Sequence, residues 1–310
     1  MHRIVDTVTG IRVGEPTSYR NLTVFPLFGA DRGKGDYLTL DEALERKCSI
    51  ITEVSEGGSV PELKFVNSGS LPVFLLDGEE LIGAKQNRIL NLSILVAAGQ
   101  TLVIPVSCVE AGRWSHRTRQ FAAAPRAHYA EGRARKMAQV SASLRATGQR
   151  RSDQSEVWAH IRNKSASFGV SSETSAMSDI YEQESGRLED YVRPFAALEN
   201  QAGAIFAVGE RIAGLDFFDS SKTFRKLFPK LLRSYGLDAL DRARREGPEE
   251  KGRCTPAKAN AFLARVGKAK AEEFPAVGEG TDVRLSGRNL NGAALVASDH
   301  VVHLSAFGAE

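Results

Sequence analysis

The sequence predicts an α+β fold: an antiparallel β-sandwich or barrel core, a helical middle region, and C-terminal strands that return to the core. Three observations carry that reading. Short runs rich in Val, Ile, Leu and Phe fill the first third and are punctuated by turn residues. Near Pro125 the apolar pattern changes to helical spacing. Strand-like patterning then returns twice, over 203–218 and 282–307.

Taken in order, Leu22 to Phe28, Ser49 to Val54, Glu62 to Val66, Pro72 to Asp77, Ile89 to Val96 and Thr101 to Val109 read as strands. Gly57-Gly58, Asn67-Ser68-Gly69, Gly83 and Ala98-Gly99 supply the turns between them. One short helix interrupts at 39–45, where Thr39 is placed to cap and Asp41 and Glu42 occupy the first turn. Closely spaced strands with tight turns favour antiparallel pairing over βαβ units. Ala127 to Ala146, Ser155 to Lys164, Ala176 to Leu198 and Ser220 to Arg244 read as helices. Ala204 to Val208 and Ile212 to Asp216 flank Gly209-Glu210 as a hairpin. The polar stretches 113–151 and 242–253 read as a mobile connector and a loop. The expected organisation is a β-rich unit over 1–118, a basic connector with helices over 119–202, and completing strands and helices over 203–310.

With 310 residues, 42% apolar and 25% charged, the chain buries a sizeable core and is neither disordered nor collagen-like. No long uncharged apolar run predicts a membrane helix, and no apolar segment at the N-terminus suggests secretion. Cys48, Cys108 and Cys254 are odd in number and far apart, which fits a reducing cytoplasm. The sequence has no Walker loop, no Gly-x-Gly-x-x-Gly after a strand, no Gly-x-Ser-x-Gly and no His-Glu-x-x-His. P-loop NTPases, dinucleotide dehydrogenases, α/β-hydrolases and zincins are thereby excluded.

The densest polar segment runs from Asp77 to Arg88, after the apolar run Val73-Phe74-Leu75-Leu76. Asp77, Glu79 and Glu80 are candidate catalytic carboxylates, while Lys85, Gln86, Asn87 and Arg88 are candidate ligand contacts. Carboxylates accept from ribose hydroxyls, and Lys or Arg meets phosphate. The competing reading is a solvated charged turn closed by its own salt bridges. Glu53 and Glu56 join the three carboxylates as oxygen donors of the type that hold a divalent metal, whereas the scattered histidines give no zinc spacing. Glu110, Arg113 and Trp114 leave the strand Thr101 to Val109, and a Trp–Arg pair can clamp a planar ring. Trp114 as ordinary packing is the alternative there. Cys108 reads as a small buried hydrophobe, His303 as a satisfied core histidine, and Asp219 as a helix N-cap. Asp216 is placed to face a pocket. From Arg113 to Arg151 ten cations, among them Arg117, Arg126, Arg133 and Lys136, stand against one acid, Glu131. That is a footprint for weak, salt-sensitive contact with nucleic acid.

Four segments together resemble a known family: Tyr37-Leu-Thr-Leu-Asp-Glu-Ala-Leu44, Thr52-Glu-Val-Ser-Glu-Gly-Gly-Ser-Val-Pro61, Leu76-Asp-Gly-Glu-Glu-Leu-Ile-Gly-Ala-Lys-Gln-Asn-Arg88 and Ile104-Pro-Val-Ser-Cys-Val-Glu-Ala-Gly-Arg-Trp114. The family is the ARG and rhodanese-phosphatase-superfamily-associated protein domain. Its name marks association with ADP-ribosylglycohydrolase, so the resemblance implies a role around NAD or ADP-ribose. The expectation is a protein that binds an ADP-ribose-like or phosphorylated nucleotide and that, if it is an enzyme, hydrolyses a glycosidic or phosphoester bond with carboxylate assistance; the resemblance transfers no catalytic residue. The alternative is a non-catalytic module that holds nucleic acid or a partner protein through the Arg-rich stretch.

Overall fold

The computed structural model describes residues 2–31, 37–247 and 252–308. The first third runs α1 (His2–Thr9), β1 (Arg12–Val13), β2 (Thr17–Tyr19), β3 (Leu22–Phe28), β4 (Leu38–Thr39), α2 (Leu40–Glu45), β5 (Ser49–Glu53), β6 (Glu62–Asn67), β7 (Val73–Leu75), β8 (Glu79–Gly83), β9 (Arg88–Leu90), β10 (Ile94–Val96) and β11 (Thr101–Cys108). The middle continues with β12 (Phe121–Ala127), α3 (Ala130–Thr147), α4 (Gln154–Phe168), α5 (Met177–Gln183) and α6 (Ser185–Val192). The last third holds β13 (Gly203–Val208), β14 (Arg211–Phe218), α7 (Ser221–Glu246), α8 (Pro256–Gly267), β15 (Lys270–Pro275), β16 (Thr281–Gly287), β17 (Leu290–Ala297) and β18 (His300–Gly308).

Three sheets result, in the orders β1-β3-β13-β14-β18-β17-β16-β15 with β2 beside β3, β10-β7-β4, and β12-β8-β9-β11-β6-β5. Pairing is antiparallel except between β4 and β7, and one sheet curls into a half-barrel. The expected α+β architecture is therefore present. The 203–218 hairpin pairs with β3 on one side and β18 on the other, so the C-terminal strands do return to an N-terminal strand.

Alternation along β3 and β13 explains why both read as continuous apolar runs. Val24, Ala204 and Phe206 point into a core shared with α7, whose Phe224, Leu227, Leu231 and Tyr235 pack there. Phe25, Leu27, Ile205 and Ala207 point the other way, into a core closed by α1 and by Phe262, Leu263 and Val266 of α8. A strand covered on both faces needs no polar side. A third core, built on Phe65, Leu75, Leu81 and Ile104, fills the space between the two smaller sheets.

Several expectations need correction. The run 89–96 is two strands in different sheets, because Asn91 breaks the ladder between them: it donates to Arg150 O at 2.9 Å and accepts from Ser107 Oγ. The helix expected over 176–198 is divided at Glu184 into α5 and α6. The stretch 113–151 is no mobile connector: it contains strand β12 and the 18-residue helix α3. Asp219 is not the N-cap of α7, a position held by Ser220; its carboxylate instead accepts from Tyr37 Oη at 2.6 Å and faces His300 Nε2 at 2.9 Å. Helix α7 runs on to Glu246, into the segment read as a loop, of which 248–251 lie outside the described residues. Helices α1 and α8 and strand β15 were not expected, although Thr255 as cap and Pro256 at the first turn are an ordinary start signal for α8.

Candidate functional site

The segment Asp77 to Arg88 is not a solvated turn. Asp77, Glu79, Glu80, Gln86, Asn87 and Arg88 are all buried. Gly78 and Gly83 have φ of +79° and +122°, conformations that favour glycine, and bend the chain into and out of β8. A Cβ on Gly78 would also stand 2.8 Å from Arg133 Cγ, so the glycine admits that side chain.

The three candidate catalytic carboxylates are directed at different cations. Asp77 accepts from Lys136 and lies 3.5 Å from Arg133 Nε, both on α3. Glu79 meets Lys230 of α7, which also holds Asp41 at 2.7 Å. Glu80 pairs with Arg126 of β12. Burial, the largest influence on both, raises the pKa of Glu79 and of Glu80 despite their cationic partners. The structure does not bring these acids together. Among the described residues no three His, Cys, Asp or Glu side chains converge as a metal-holding group, so the carboxylate set of Glu53, Glu56, Asp77, Glu79 and Glu80 does not assemble.

Behind Asp77 lies a buried ionic lattice. Arg133 donates to both oxygens of Asp216, at 3.0 and 2.7 Å, and Tyr235 Oη adds a bond at 2.9 Å. His303 bridges Asp216, at 3.2 Å from Nε2, to Ser93 Oγ, at 2.8 Å from Nδ1. It is the satisfied core histidine that the sequence suggests. Burial raises the Asp216 carboxyl, but Arg133 and His303 outweigh it and bring it down to about 2. Asp216, Arg133 and Asp77 thus hold α3 against two sheets. The cavity beside them, walled by Asp77, Ser93, Asp282, Arg284, His303 and Ser305, measures about 10 Å³, room for one water. It is too small for a substrate.

The remaining candidates do converge, where β9 and β11 end side by side with Arg88 opposite Cys108. Glu110 accepts from Arg113 Nε and Nη2 at 2.9 and 2.7 Å, from the Asn87 amide at 3.0 Å and from Thr174 Oγ1 at 2.9 Å. Burial works to raise its pKa, yet these donors hold it below the ordinary value. Gln86 donates to Glu110 O and accepts from Arg88 Nη1 at 3.0 Å and from the Cys108 thiol. Cys108 is buried as expected, and burial raises its pKa.

Arg88 stands apart from these satisfied side chains. It is 0% exposed, yet Nε and Nη2 have no hydrogen-bond partner, and among the described residues it makes no ion pair. Burial lowers its pKa, the largest influence on it. Trp114, 45% exposed, lies over it: the ring centroid is 5.6 Å from Arg88 Cζ and 5.3 Å from Lys85 Nζ. A Cβ on Gly58 would stand 3.3 Å from each of Glu53 Oε2, Lys85 Cδ and Trp114 Cζ2, so the Gly57-Gly58 turn closes on the same point. Glu53 Oε2 is itself buried without a partner. Lys85, Gln86, Asn87, Arg88, Glu110, Arg113 and Trp114 therefore form one cluster, joined by Glu53 and Gly58. Sequence reasoning named Glu53 for a metal and Gly58 as a turn; the paired glycines were the signal that the chain comes close to something there.

The Arg-rich stretch is largely neutralised. Arg126, Arg133 and Lys136 are buried on carboxylates, and Arg135, Arg145 and Arg150 pair with Glu131, Glu272 and Asp282. Few of its cations remain free to meet a polyanion.

The chain belongs to the ARG and Rhodanese-Phosphatase-superfamily-associated Protein domain family, whose model matches residues 10–307. No curated protein and no solved structure gives a significant match to it.

Proposed function

We propose that the protein binds a phosphorylated, ring-bearing ligand of the nucleotide or ADP-ribose class at the Arg88–Trp114 cluster. The observation that carries this reading is the pair of unsatisfied N–H groups on buried Arg88. Each unpaired buried donor costs about 1–3 kcal/mol, a deficit that a phosphate oxygen removes. Trp114 offers an exposed ring face for stacking, and the free Glu53 Oε2 is an acceptor for a sugar hydroxyl. Entry requires the Trp114 ring and the Gly57-Gly58 turn to swing aside. The three carboxylates on Lys136, Lys230 and Arg126 leave binding, rather than hydrolysis, as the reading the geometry favours.

Calorimetric titration with ADP-ribose, ADP and adenosine tests this. ADP-ribose and ADP bind and adenosine does not; Arg88→Ala weakens binding by about 1.5–3 kcal/mol, the range for hydrogen bonds to charged groups. Arg88→Lys restores only part, because an ammonium lacks the planar fork. Equal affinity for adenosine and ADP, or an Arg88→Ala variant that binds as wild type, refutes the proposal.

A further inference from the structure

A separate cleft of about 240 Å³ opens between α3 and α4, and His128, just before α3, forms part of its wall. His128 is only 2% exposed, yet neither Nδ1 nor Nε2 has a hydrogen-bond partner. Its position is fixed by the backbone. The His128 amide donates to Gly78 O at 2.7 Å, and its carbonyl accepts from Ser234 Oγ at 2.6 Å. The ring lies against α3 at Gly132, where a Cβ would overlap Nε2 and Cε1. The helix therefore has no side chain at the point where the imidazole needs the space. Burial, then Lys136, His160, Arg133 and Lys164, hold the His128 pKa well below its ordinary value, so the ring is neutral and keeps one N–H to donate.

The rest of the wall is polar. Lys136 is spent on Asp77 and His160 faces Glu131, so Arg135, exposed and in a surface pair with Glu131, is the cation that reaches the cleft, beside Gln139, Asn163 and Glu156, which already accepts from Gln139. Pockets for drug-sized ligands run to roughly 300–1,000 Å³, so this cleft suits something smaller. We infer that the α3–α4 cleft binds the phosphate group of a small phosphomonoester, with His128 and Arg135 as its contacts. Both ring nitrogens are closed to water in the free protein, so the imidazole turns away from Gly132 to give its N–H to one phosphate oxygen, while the exposed Arg135 guanidinium at the rim meets the others. The Arg88 cluster lies on other elements, at the ends of β9 and β11.

The test is a titration of the full chain, labelled with ¹⁵N-histidine, with inorganic phosphate and with glycerol 3-phosphate, using glycerol as the uncharged control. The expected result is a saturable shift of the His128 ring nitrogens with both phosphates and none with glycerol. A tighter fit for glycerol 3-phosphate identifies an ester; equal affinity identifies free phosphate, and would overturn the ester assignment. Arg135→Glu changes an exposed side chain whose ion pair is with Glu131 alone, and it weakens binding at least tenfold. His128→Gln, which keeps a donor of similar reach, retains part of the affinity, and His128→Ala loses it. His128 signals that stay fixed as phosphate reaches tens of millimolar, or an Arg135→Glu variant with unchanged affinity, would overturn the inference.

Discussion

Asp216→Asn tests the buried lattice that joins α3 to the large sheet. Asp216 accepts two bonds from Arg133, one from Tyr235 and one from His303, and both it and Arg133 are inaccessible to water. An asparagine cannot replace it. One of its two polar atoms is a donor, which would face the donors of Arg133, and the guanidinium would keep only Asp77, 3.5 Å from Nε. Removing one member of a buried ion pair costs about 3–5 kcal/mol, because the partner's charge stays buried. The comparison is with Asp299→Asn, at an exposed pair with Arg3, where the change is within about 0.5 kcal/mol. Urea unfolding followed by circular dichroism at pH 7 measures both.

The pH dependence gives a second readout of the same group. The folded Asp216 carboxyl titrates at about 2, below its ordinary value of 3.8. As pH falls through 3.8 the unfolded chain takes up the proton first, so stability declines between about pH 4 and pH 2 and is lost below both values. The Asn variant lacks this part of the acid slope. A loss under about 1 kcal/mol at pH 7, or an acid slope equal to wild type, would refute the reasoning.

Three further outcomes follow from other parts of the structure. Lys230→Met leaves Glu79 buried without its cation and lowers stability by about 3–5 kcal/mol, most of it regained on adding Glu79→Gln; a double-mutant cycle by urea unfolding checks this. Thr39→Ala removes a capping box in which Thr39 Oγ1 accepts from the Glu42 amide and Glu42 Oε2 accepts from the Thr39 amide, at a cost of about 1 kcal/mol read by calorimetric melting. Gly132→Ala, despite the higher helix propensity of alanine, destabilises by about 1–3 kcal/mol because its Cβ overlaps the His128 ring, whereas an increase in melting temperature would show that the ring moves freely.

Local chemistry made some elements legible. Thr39 followed by Glu42 marks α2 because a hydroxyl and a carboxylate at that spacing satisfy the free amides of a first turn. Gly209 marks the β13–β14 turn because its φ of +59° is open to glycine. Strand β8 was not legible. Asp77, Glu79 and Glu80 have the composition of a solvated turn, and only cations from α3, α7 and β12, between 46 and 151 residues away, make their burial tolerable. The Arg-rich stretch misleads for the same reason: a run of cations looks exposed until its carboxylates arrive from elsewhere in the chain.

By itself, then, the sequence determined the α+β class, the strands β3, β5, β6, β7 and β11 and the pairing hairpin, all of which depend on neighbours a few residues apart. It also placed Gln86, Arg88, Glu110 and Trp114 among the residues worth watching, since residues at the ends of apolar strands emerge together. Only the tertiary structure decided which polar groups are spent and which are left over. Arg133 and Arg88 are both buried arginines, and nothing in their immediate sequence separates them. Arg133 gives both terminal nitrogens to Asp216, 83 residues away, and its one unbonded nitrogen, Nε, lies 3.5 Å from Asp77, while Arg88 leaves Nε and Nη2 and His128 leaves both ring nitrogens without a partner. Whether a buried charge is satisfied is a property of three-dimensional neighbours, because a hydrogen bond acts over about 3 Å and not along the chain.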